Sequence, residues 1–433
     1  NSLELINVPL RFHALQSQMT QRSFSRRSLL QSAVLGSAAF AQSGICQRVF
    51  GQSPTKPSSL TITSVETFPL KYQMPRAKGV STALSDVRQC LLVKISTDSG
   101  LVGWGETTDV GGTRGVIESH LKPKLLGQNP LEHRRLWRSL WGPSFGDGRA
   151  VGAVDIALHD LRGKALQLSI ADLYGGRLRD KVLAYASAMN YTDGVRPEDQ
   201  FPSEAKELVQ LGYRALKIRT GRFEPNRELA VLAKIRETVG SNIRLLTDGN
   251  GAFTLPQAVK FGKELEKLDF YCFEEPLPQG LNYAGYDVLT ESLDICVAGG
   301  EGLDSRVTAR DHIVRRSFDM IQPDVVLCGG IGEALFIAEM ARLWSVQCVP
   351  HCWSGVIGIV ATLQLLALLP DTTFGFSSDQ PLLEHDTLDN PFREELSARP
   401  FKINRQGEME IPKGPGLGIE IDEGIVQKYL VRN

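Results

Sequence analysis

Six stretches between residues 215 and 358 share one pattern, an apolar run that ends in charged residues and is followed by Gly or Pro. They read ALKIRTG (215–221), LLTDGNGAF (245–253), YCFEEPLP (271–278), VAGGEGL (297–303), MIQPDVVLCGGIG (320–332) and CVPHCWSGVIG (348–358). Their charged residues follow one another at intervals of 23 to 29 residues. One strand, one loop and one helix of a (β/α)8 barrel take up roughly 30 residues, so the spacing predicts such a barrel. The carboxyl ends of its strands would bring these side chains together at one site.

Three acidic residues stand at the ends of consecutive predicted strands: Asp248, Glu274 and Glu301. Hard anionic oxygens on adjacent strands suit Mg²⁺, which prefers oxygen ligands and keeps positions for water and substrate. One such carboxylate alone would more simply be a solvated loop residue or a helix cap. Three of them at matched positions favour a metal site.

Two further pairs of residues occupy the same kind of position. Lys217 and Arg219 lie two residues apart in one predicted strand, so both side chains point to one face, into the barrel mouth. They could hold an anionic substrate, or they could be ion-pair partners of the carboxylates. Asp324 and His351 end the next two strands. An Asp that accepts a hydrogen bond from one imidazole nitrogen raises the basicity of the other, which predicts a general base.

The sequence pattern predicts a separate α+β domain at 60–180, ahead of a barrel at 181–389. LTITSVETFPL (60–70) alternates apolar and polar residues, QCLLVKISTDSGLVGWGE (89–106) indicates strand, turn and strand, and helical periodicity follows.

The segment between the first two of these strands, 71–83, has no clear period and is interpreted as a lid over the site. A lid would exclude water from the reacting centre. Residues 390–433 are expected to pack back on the α+β domain.

The composition is that of an ordinary soluble enzyme-sized chain. The 433 residues are 42% hydrophobic and carry a net charge near −1, which argues against nucleic acid as a partner. The seven cysteines show neither zinc spacing nor a disulfide framework.

Residues 1–59 are interpreted as a leader and linker. Met19 is a candidate start, Arg26 and Arg27 precede a short apolar run, and Ala39-Phe40-Ala41 matches a cleavage pattern. Paired arginines in this setting indicate a twin-arginine signal and export of a folded bacterial protein to the periplasm. The apolar run is shorter than the roughly 20 residues of a stable membrane span.

Taken together, these motifs resemble the mandelate racemase subgroup of the enolase superfamily over about residues 60–432. The helix AVDIALHDLRGKAL (153–166) and the tetrapeptide GWGE (103–106) add to the resemblance. The motifs that carry it are K-x-R at 217–219, D-x-N at 248–250, E-E-P at 274–276, G-E at 300–301, Q-P-D at 322–324 and P-H at 350–351.

The resemblance implies an α+β capping domain over a modified (β/α)7β barrel, and an oligomer between a dimer and an octamer. It implies Mg²⁺ on the three carboxylates, binding a substrate carboxylate and stabilising the enediolate formed when the adjacent proton is removed. His351, oriented by Asp324, would be the acid or base, and Lys217 would neutralise the substrate carboxylate. Asn250 would donate a hydrogen bond near the metal and substrate.

One departure from the family pattern decides between reactions. Arg219 stands where the family usually has a second lysine, and arginine holds its proton too firmly to be a good base. One-base dehydration of an acid sugar, an aldonate or aldarate, to its 2-keto-3-deoxy acid is therefore favoured. The eighth-strand hydrogen-bond donor is assigned to Glu384 in LLEHD (382–386), although spacing alone would place it at 371–376.

Two alternatives stay open at this point. One is a racemase or epimerase of a 2-hydroxy acid or an amino-acid derivative. The other is an exported carboxylate-binding protein without turnover, which the intact pair of Asp324 and His351 disfavours.

Overall fold

The computed structural model describes residues 60–142, 146–371 and 379–432, which form one compact unit. The predicted leader, 1–59, lies outside the described residues. The strands in the described ranges are β1 (Ile62–Gly79), β2 (Leu84–Thr97), β3 (Val102–Thr107), β4 (Lys181–Ala188), β5 (Tyr191–Thr192), β6 (Ala215–Arg219), β7 (Arg244–Asp248), β8 (Cys272–Glu274), β9 (Cys296–Gly299), β10 (Met320–Ile321), β11 (Gln347–Cys348), β12 (Leu383–Asp386) and β13 (Glu408–Glu410).

Five α-helices lie between β3 and β4, and one α-helix follows each described strand from β5 onward. They are α1 (Thr113–Val116), α2 (Lys122–Leu125), α3 (His133–Trp141), α4 (Gly148–Leu166), α5 (Ile170–Leu173), α6 (Pro197–Leu211), α7 (Pro225–Val239), α8 (Leu255–Lys267), α9 (Tyr286–Ser292), α10 (Arg306–Arg315), α11 (Ile331–Leu343), α12 (Val356–Leu366), α13 (Pro391–Glu394) and α14 (Glu423–Tyr429). A π-helical turn, Ile117–Leu121, joins α1 to α2. No helix among the described residues is long and apolar enough to span a bilayer.

The first domain is an antiparallel sheet in the order β3-β2-β1-β5, covered by α4. The glycines of GWGE allow this packing, because a Cβ on Gly105 would lie 1.9 Å from the carbonyl oxygen of Ala153. A Cβ on Gly103 would lie 2.2 Å from the carbonyl oxygen of Ala157. The tetrapeptide therefore sets how closely the helix approaches the sheet.

The second domain is a curled parallel sheet in the order β12-β4-β6-β7-β8-β9-β10-β11, with β13 antiparallel on β4. Parallel neighbours place their carboxyl ends at one rim, where Arg219 pairs with Asp248 and Asp248 pairs with Glu274 in register. Below the rim, buried side chains that include Tyr185, Leu246 and Met320 fill the interior. The predicted modified (β/α)7β barrel with an α+β capping domain is confirmed.

The expectation of an irregular lid over 71–83 is wrong in its extent. β1 continues through Gly79 and pairs with β2, with a register shift between Gln73 and Lys78, so only residues 80–83 form the turn. The sequence of 71–79 shows no alternation because most of these residues are not buried. A strand with little buried surface does not need alternating apolar residues.

The cap sheet also has four strands, where three were expected. The fourth, β5, comes from the barrel segment and pairs Thr192 with Lys78 of β1. The C-terminal segment reaches both domains, since β13 pairs with β4 and the backbone N–H of Val431 donates to the carbonyl oxygen of Pro69 at 2.9 Å.

Candidate active site at the barrel mouth

The predicted site residues gather at the carboxyl rim of the parallel sheet. Asp248 and Glu274 are the last residues of β7 and β8, and both are fully buried. Glu301 lies two residues beyond β9, and its side chain is 26% exposed. The three carboxylates therefore extend from the barrel interior toward its mouth.

Lys217 lies at the centre of this group and bridges two sides of the sheet. Its Nζ is 2.6 Å from Glu274 Oε1 and 2.6 Å from Glu384 Oε1, and it is 3.6 Å from Asp248 Oδ2. Burial opposes the charge of Lys217, yet Glu274 and Glu384 outweigh burial and hold its pKa above the usual range. Lys217 is therefore a permanent cation that offsets the carboxylates.

Arg219 forms an ion pair with Asp248 through Nη1. The same nitrogen lies 3.5 Å from Asn250 Oδ1, and the guanidinium carbon is 4.9 Å from the ring centre of Trp353. Burial opposes the charge of Arg219, but Asp248 outweighs it and holds its pKa above the ordinary value. Arg219 is thus an electrostatic clamp, and its proton is held too firmly for a base.

Asp324 and His351 form the expected pair. Asp324 Oδ2 lies 2.7 Å from His351 Nδ1, which leaves Nε2 directed to the mouth, 3.3 Å from Glu301 Oε2. Burial disfavours a charged His351, but Glu301 and then Glu384 outweigh burial and hold its pKa well above the usual range.

Glu384 lies on β12 and is fully buried. Its Oε2 accepts the backbone N–H of Cys352 at 3.1 Å and lies 3.9 Å from His351 Nε2. Burial alone would raise the pKa of Glu384, but Lys217 and His351 hold it well below the usual range. The structure brings Glu384 into the site. In the alternative segment, Asp371 pairs with Arg179, and residues 372–376 lie outside the described residues.

Negative charge is in excess in this cluster. Burial, more than any other cause, raises the pKa of Glu274 from 4.5 to about 7, although Lys217 opposes the rise. Burial and then Glu301 raise the pKa of Glu275 well above its usual value. Glu275 Oε1 is also a buried atom without a hydrogen-bond partner. A divalent cation would relieve this excess, and carboxylate oxygens are the donors that Mg²⁺ prefers.

The predicted ligands Asp248, Glu274 and Glu301 thus fit Mg²⁺ by donor type and charge. The oxygens of these three carboxylates do not converge on one point in this structure. A cationic side chain pairs with each of them: Lys217 with Glu274, Arg219 with Asp248 and His351 with Glu301. Among the described residues, three potential ligands with donor atoms within 4.8 Å of one another occur elsewhere, at His133, Asp155 and His159.

Several residues of the site were not assigned from the sequence. Gln322 Nε2 donates to Glu274 Oε2 at 2.8 Å. Tyr185 of β4 is fully buried, and Lys217 Nζ lies 5.7 Å from the centre of its ring. Gln322 and Glu275 lie inside the quoted motifs Q-P-D and E-E-P, which were the signal available. Tyr185 has no comparable signal, because a buried tyrosine in a strand is usually a core residue.

The capping domain closes over this mouth. Ser81, in the turn after β1, donates from Oγ to the carbonyl oxygen of Gly249 at 2.6 Å. Beside it lies a cavity of about 350 Å³, which Leu84 and Arg88 of the cap and Trp353 of the barrel help to line. The ring of Trp353 has two guanidiniums near it, with the guanidinium carbon of Arg88 5.0 Å and that of Arg219 4.9 Å from its centre. Trp353 lies two residues beyond His351, so the cavity adjoins the loop that carries this histidine.

Comparison with known proteins matches both domains to described families. A model described as enolase C-terminal domain-like matches residues 200–425. One described as the N-terminal domain of mandelate racemase and muconate lactonizing enzyme matches residues 61–175. The chain belongs to the enolase superfamily. Within that superfamily, the paired domain matches are those of the mandelate racemase and muconate lactonizing enzyme family.

Enolase-superfamily enzymes of two kinds are among its relatives. The chain is 32% identical over 377 residues to D-galactarolactone cycloisomerase of Agrobacterium fabrum, covering 86% of this chain and 99% of that one. It is 28% identical over 382 residues to arabinonate dehydratase of Saccharolobus solfataricus, covering 85% and 99%. The crystal structure of 3,6-anhydro-D-galactonate cycloisomerase from Zobellia galactanivorans matches with a TM-score of 0.76 and 29% identity, covering 86% and 100%. The protein is therefore an enzyme of this superfamily.

Proposed function

We propose that this enolase-superfamily enzyme removes the proton next to the carboxylate of an acid sugar and dehydrates the sugar to its 2-keto-3-deoxy acid. The observation that carries the proposal is the asymmetry of the mouth. One side presents the imidazole of His351, held by Asp324 at 2.7 Å, and the other presents the guanidinium of Arg219. A single proton-transfer group suits elimination better than proton exchange between two faces.

Two positive charges at the site would face the substrate carboxylate. When bound at Asp248, Glu274 and Glu301, Mg²⁺ would supply positive charge to the substrate carboxylate. Lys217 adds a second positive charge where negative charge builds up as the proton leaves.

His351 Nε2 takes the α-proton and donates a proton to the β-hydroxyl, so that the C–O bond breaks and water leaves. The keto acid forms when the resulting enol tautomerises. In the structure Nε2 faces Glu301, and this carboxylate outweighs burial in holding the pKa of His351 well above its usual range. The contact must therefore open before substrate approaches, so that the imidazole is neutral when it takes the proton.

A panel of aldonates and aldarates, assayed for keto-acid formation with Mg²⁺ and with a chelator, tests the proposal. We expect a product lighter than the substrate by one water, formed with Mg²⁺ and not with the chelator. The matched control is His351→Asn, which keeps a hydrogen-bonding side chain but removes the proton carrier. Product formation by this variant at the wild-type rate would refute the mechanism.

A second candidate is cycloisomerisation of an acid-sugar lactone, favoured by the 32% identity to D-galactarolactone cycloisomerase. Removal of the same α-proton would expel a ring oxygen in place of a hydroxyl group. The product would then have the same mass as the substrate, which separates the two reactions by mass spectrometry. When the reaction is run in D₂O, recovered substrate that carries deuterium and has the inverted configuration would instead indicate the epimerase alternative.

We further propose that the enzyme is exported through the paired arginines Arg26 and Arg27 and that it forms a homo-oligomer. A fusion of residues 19–59 to a reporter that folds before transport tests export. Replacement of both arginines by lysine should retain the reporter in the cytoplasm. Light scattering of the purified protein tests the oligomer.

A further inference from the structure

Thr107, the last residue of β3 in the capping domain, reaches the barrel loop that carries Asp324. Its Oγ1 donates to the carbonyl oxygen of Val326 at 2.8 Å. The backbone N–H of the same Val326 donates to Asp324 Oδ1 at 2.8 Å. One carboxylate oxygen of Asp324 is thus tied to the loop that Thr107 holds, and the other faces His351 Nδ1.

Glu106, the residue before it, holds the loop that carries His351. Its two oxygens accept the backbone N–H of Gly355 at 2.5 Å and of Gly358 at 2.9 Å. These donors lie at the start of α12, Gly355 as its N-cap and Gly358 in its first turn. Backbone N–H groups there have no partner within the helix and favour a carboxylate. A Cβ on Gly355 would lie 2.9 Å from Glu106 Oε1, so a larger residue there would displace this carboxylate.

The two contacts are buried, with Glu106 2% and Thr107 1% exposed, so water does not compete for them. Within the described part of the chain, the side-chain hydrogen bonds of Glu106 and Thr107 go to the loops after Asp324 and His351, and not to Asp248, Glu274, Glu301 or Lys217. Both act from the side of the cap that faces the cavity described above. Trp353, which lines the cavity, lies in the same short segment between His351 and Gly355.

We propose that Glu106 and Thr107 are positioning residues that align the Asp324–His351 pair from the capping domain. The kinetic part of this inference rests on the proposed function, while the structural part does not. A displacement of about 1 Å in a proton-transfer group can lower turnover about 100-fold. Two hydrogen-bonded anchors next to each other on one cap strand would prevent such a displacement when the cap is in place.

Thr107→Val tests the alignment because it removes the hydroxyl and nearly keeps the volume. We expect kcat to fall about 10-fold to 100-fold and KM to change little, because the groups that hold the substrate carboxylate are untouched. Thr107→Ser should restore kcat to near the wild-type value. The matched control is Thr97→Val in β2, where a buried hydroxyl donates to the carbonyl oxygen of Leu101 at 3.0 Å inside the cap. Its kcat should be unchanged.

Amide hydrogen exchange gives a readout that does not depend on turnover. Segment 324–328 should exchange faster in Thr107→Val than in wild type or in Thr97→Val, and segment 355–358 should exchange faster in Glu106→Gln. Unchanged exchange overturns the proposal even if no acid sugar is turned over. Faster exchange in a protein whose wild type turns over no acid sugar counts against the proposed function alone. Equal losses of kcat in Thr107→Val and Thr97→Val would also overturn the alignment.

Discussion

The buried carboxyl group of Glu106 makes the stability of the protein depend on pH. Burial raises its pKa from 4.5 to about 7, and the N–H groups of Gly358 and Gly355 oppose only part of the rise. Between these two values the unfolded chain releases a proton that the native state retains, so unfolding becomes easier as pH rises. A pKa raised from 4.5 to about 7 corresponds to about 3 kcal/mol of stability, present at lower pH and lost as pH rises through this window.

Glu106→Gln removes the titration, since an amide does not ionise in this range. Urea denaturation of both proteins in a chelator, at pH about 4 and about 8, gives the difference in the free energy of unfolding. Other groups titrate in both proteins and cancel in this difference. From pH about 4 to pH about 8, we expect the free energy of unfolding of the variant to rise by about 3 kcal/mol relative to that of the wild type.

The control for this experiment is Glu132→Gln, because the side chain of Glu132 is 51% exposed. A shift between the two pH values as large in Glu132→Gln as in Glu106→Gln would show that burial is not its cause. A Glu106→Gln difference that stays constant across the window would refute the reasoning, because it would mean that the carboxyl group titrates alike in the folded and unfolded chains.

His351→Asn should lower kcat by about 100-fold or more, while calorimetry shows nearly unchanged Mg²⁺ affinity; substantial residual turnover would contradict the one-base scheme. Glu274→Gln should weaken Mg²⁺ binding by about 10-fold or more, and an unchanged titration would remove Glu274 from the metal site. Gly330→Ala should destabilise the fold by about 2 kcal/mol or more, because φ is 104° and the added Cβ would lie 2.0 Å from Asp155 Oδ2. Gly111→Ala, where φ is 66° and the space is open, should lower the melting midpoint less; equal losses would contradict the predicted clash.

The barrel and the polar residues of its rim were readable from the sequence. Each apolar run ends in its own charged residue, and the interval between runs matches one strand and one helix. Parallel pairing then places residues such as Asp248 and Glu274 in register at the same rim. The assignment needed only local pattern and spacing, since every parallel strand presents its carboxyl end at that rim.

The tertiary structure decided the contacts that join distant segments. Lys217 meets Glu384 at 2.6 Å, which brings the end of β12 into the site. Glu106 and Thr107 reach the barrel loops from another domain, although GWGE by itself reads only as a strand end. Such contacts depend on the curvature of the sheet and on the way that the cap is seated. Neither is encoded in the period of any one segment, because both result from the packing of all the segments together.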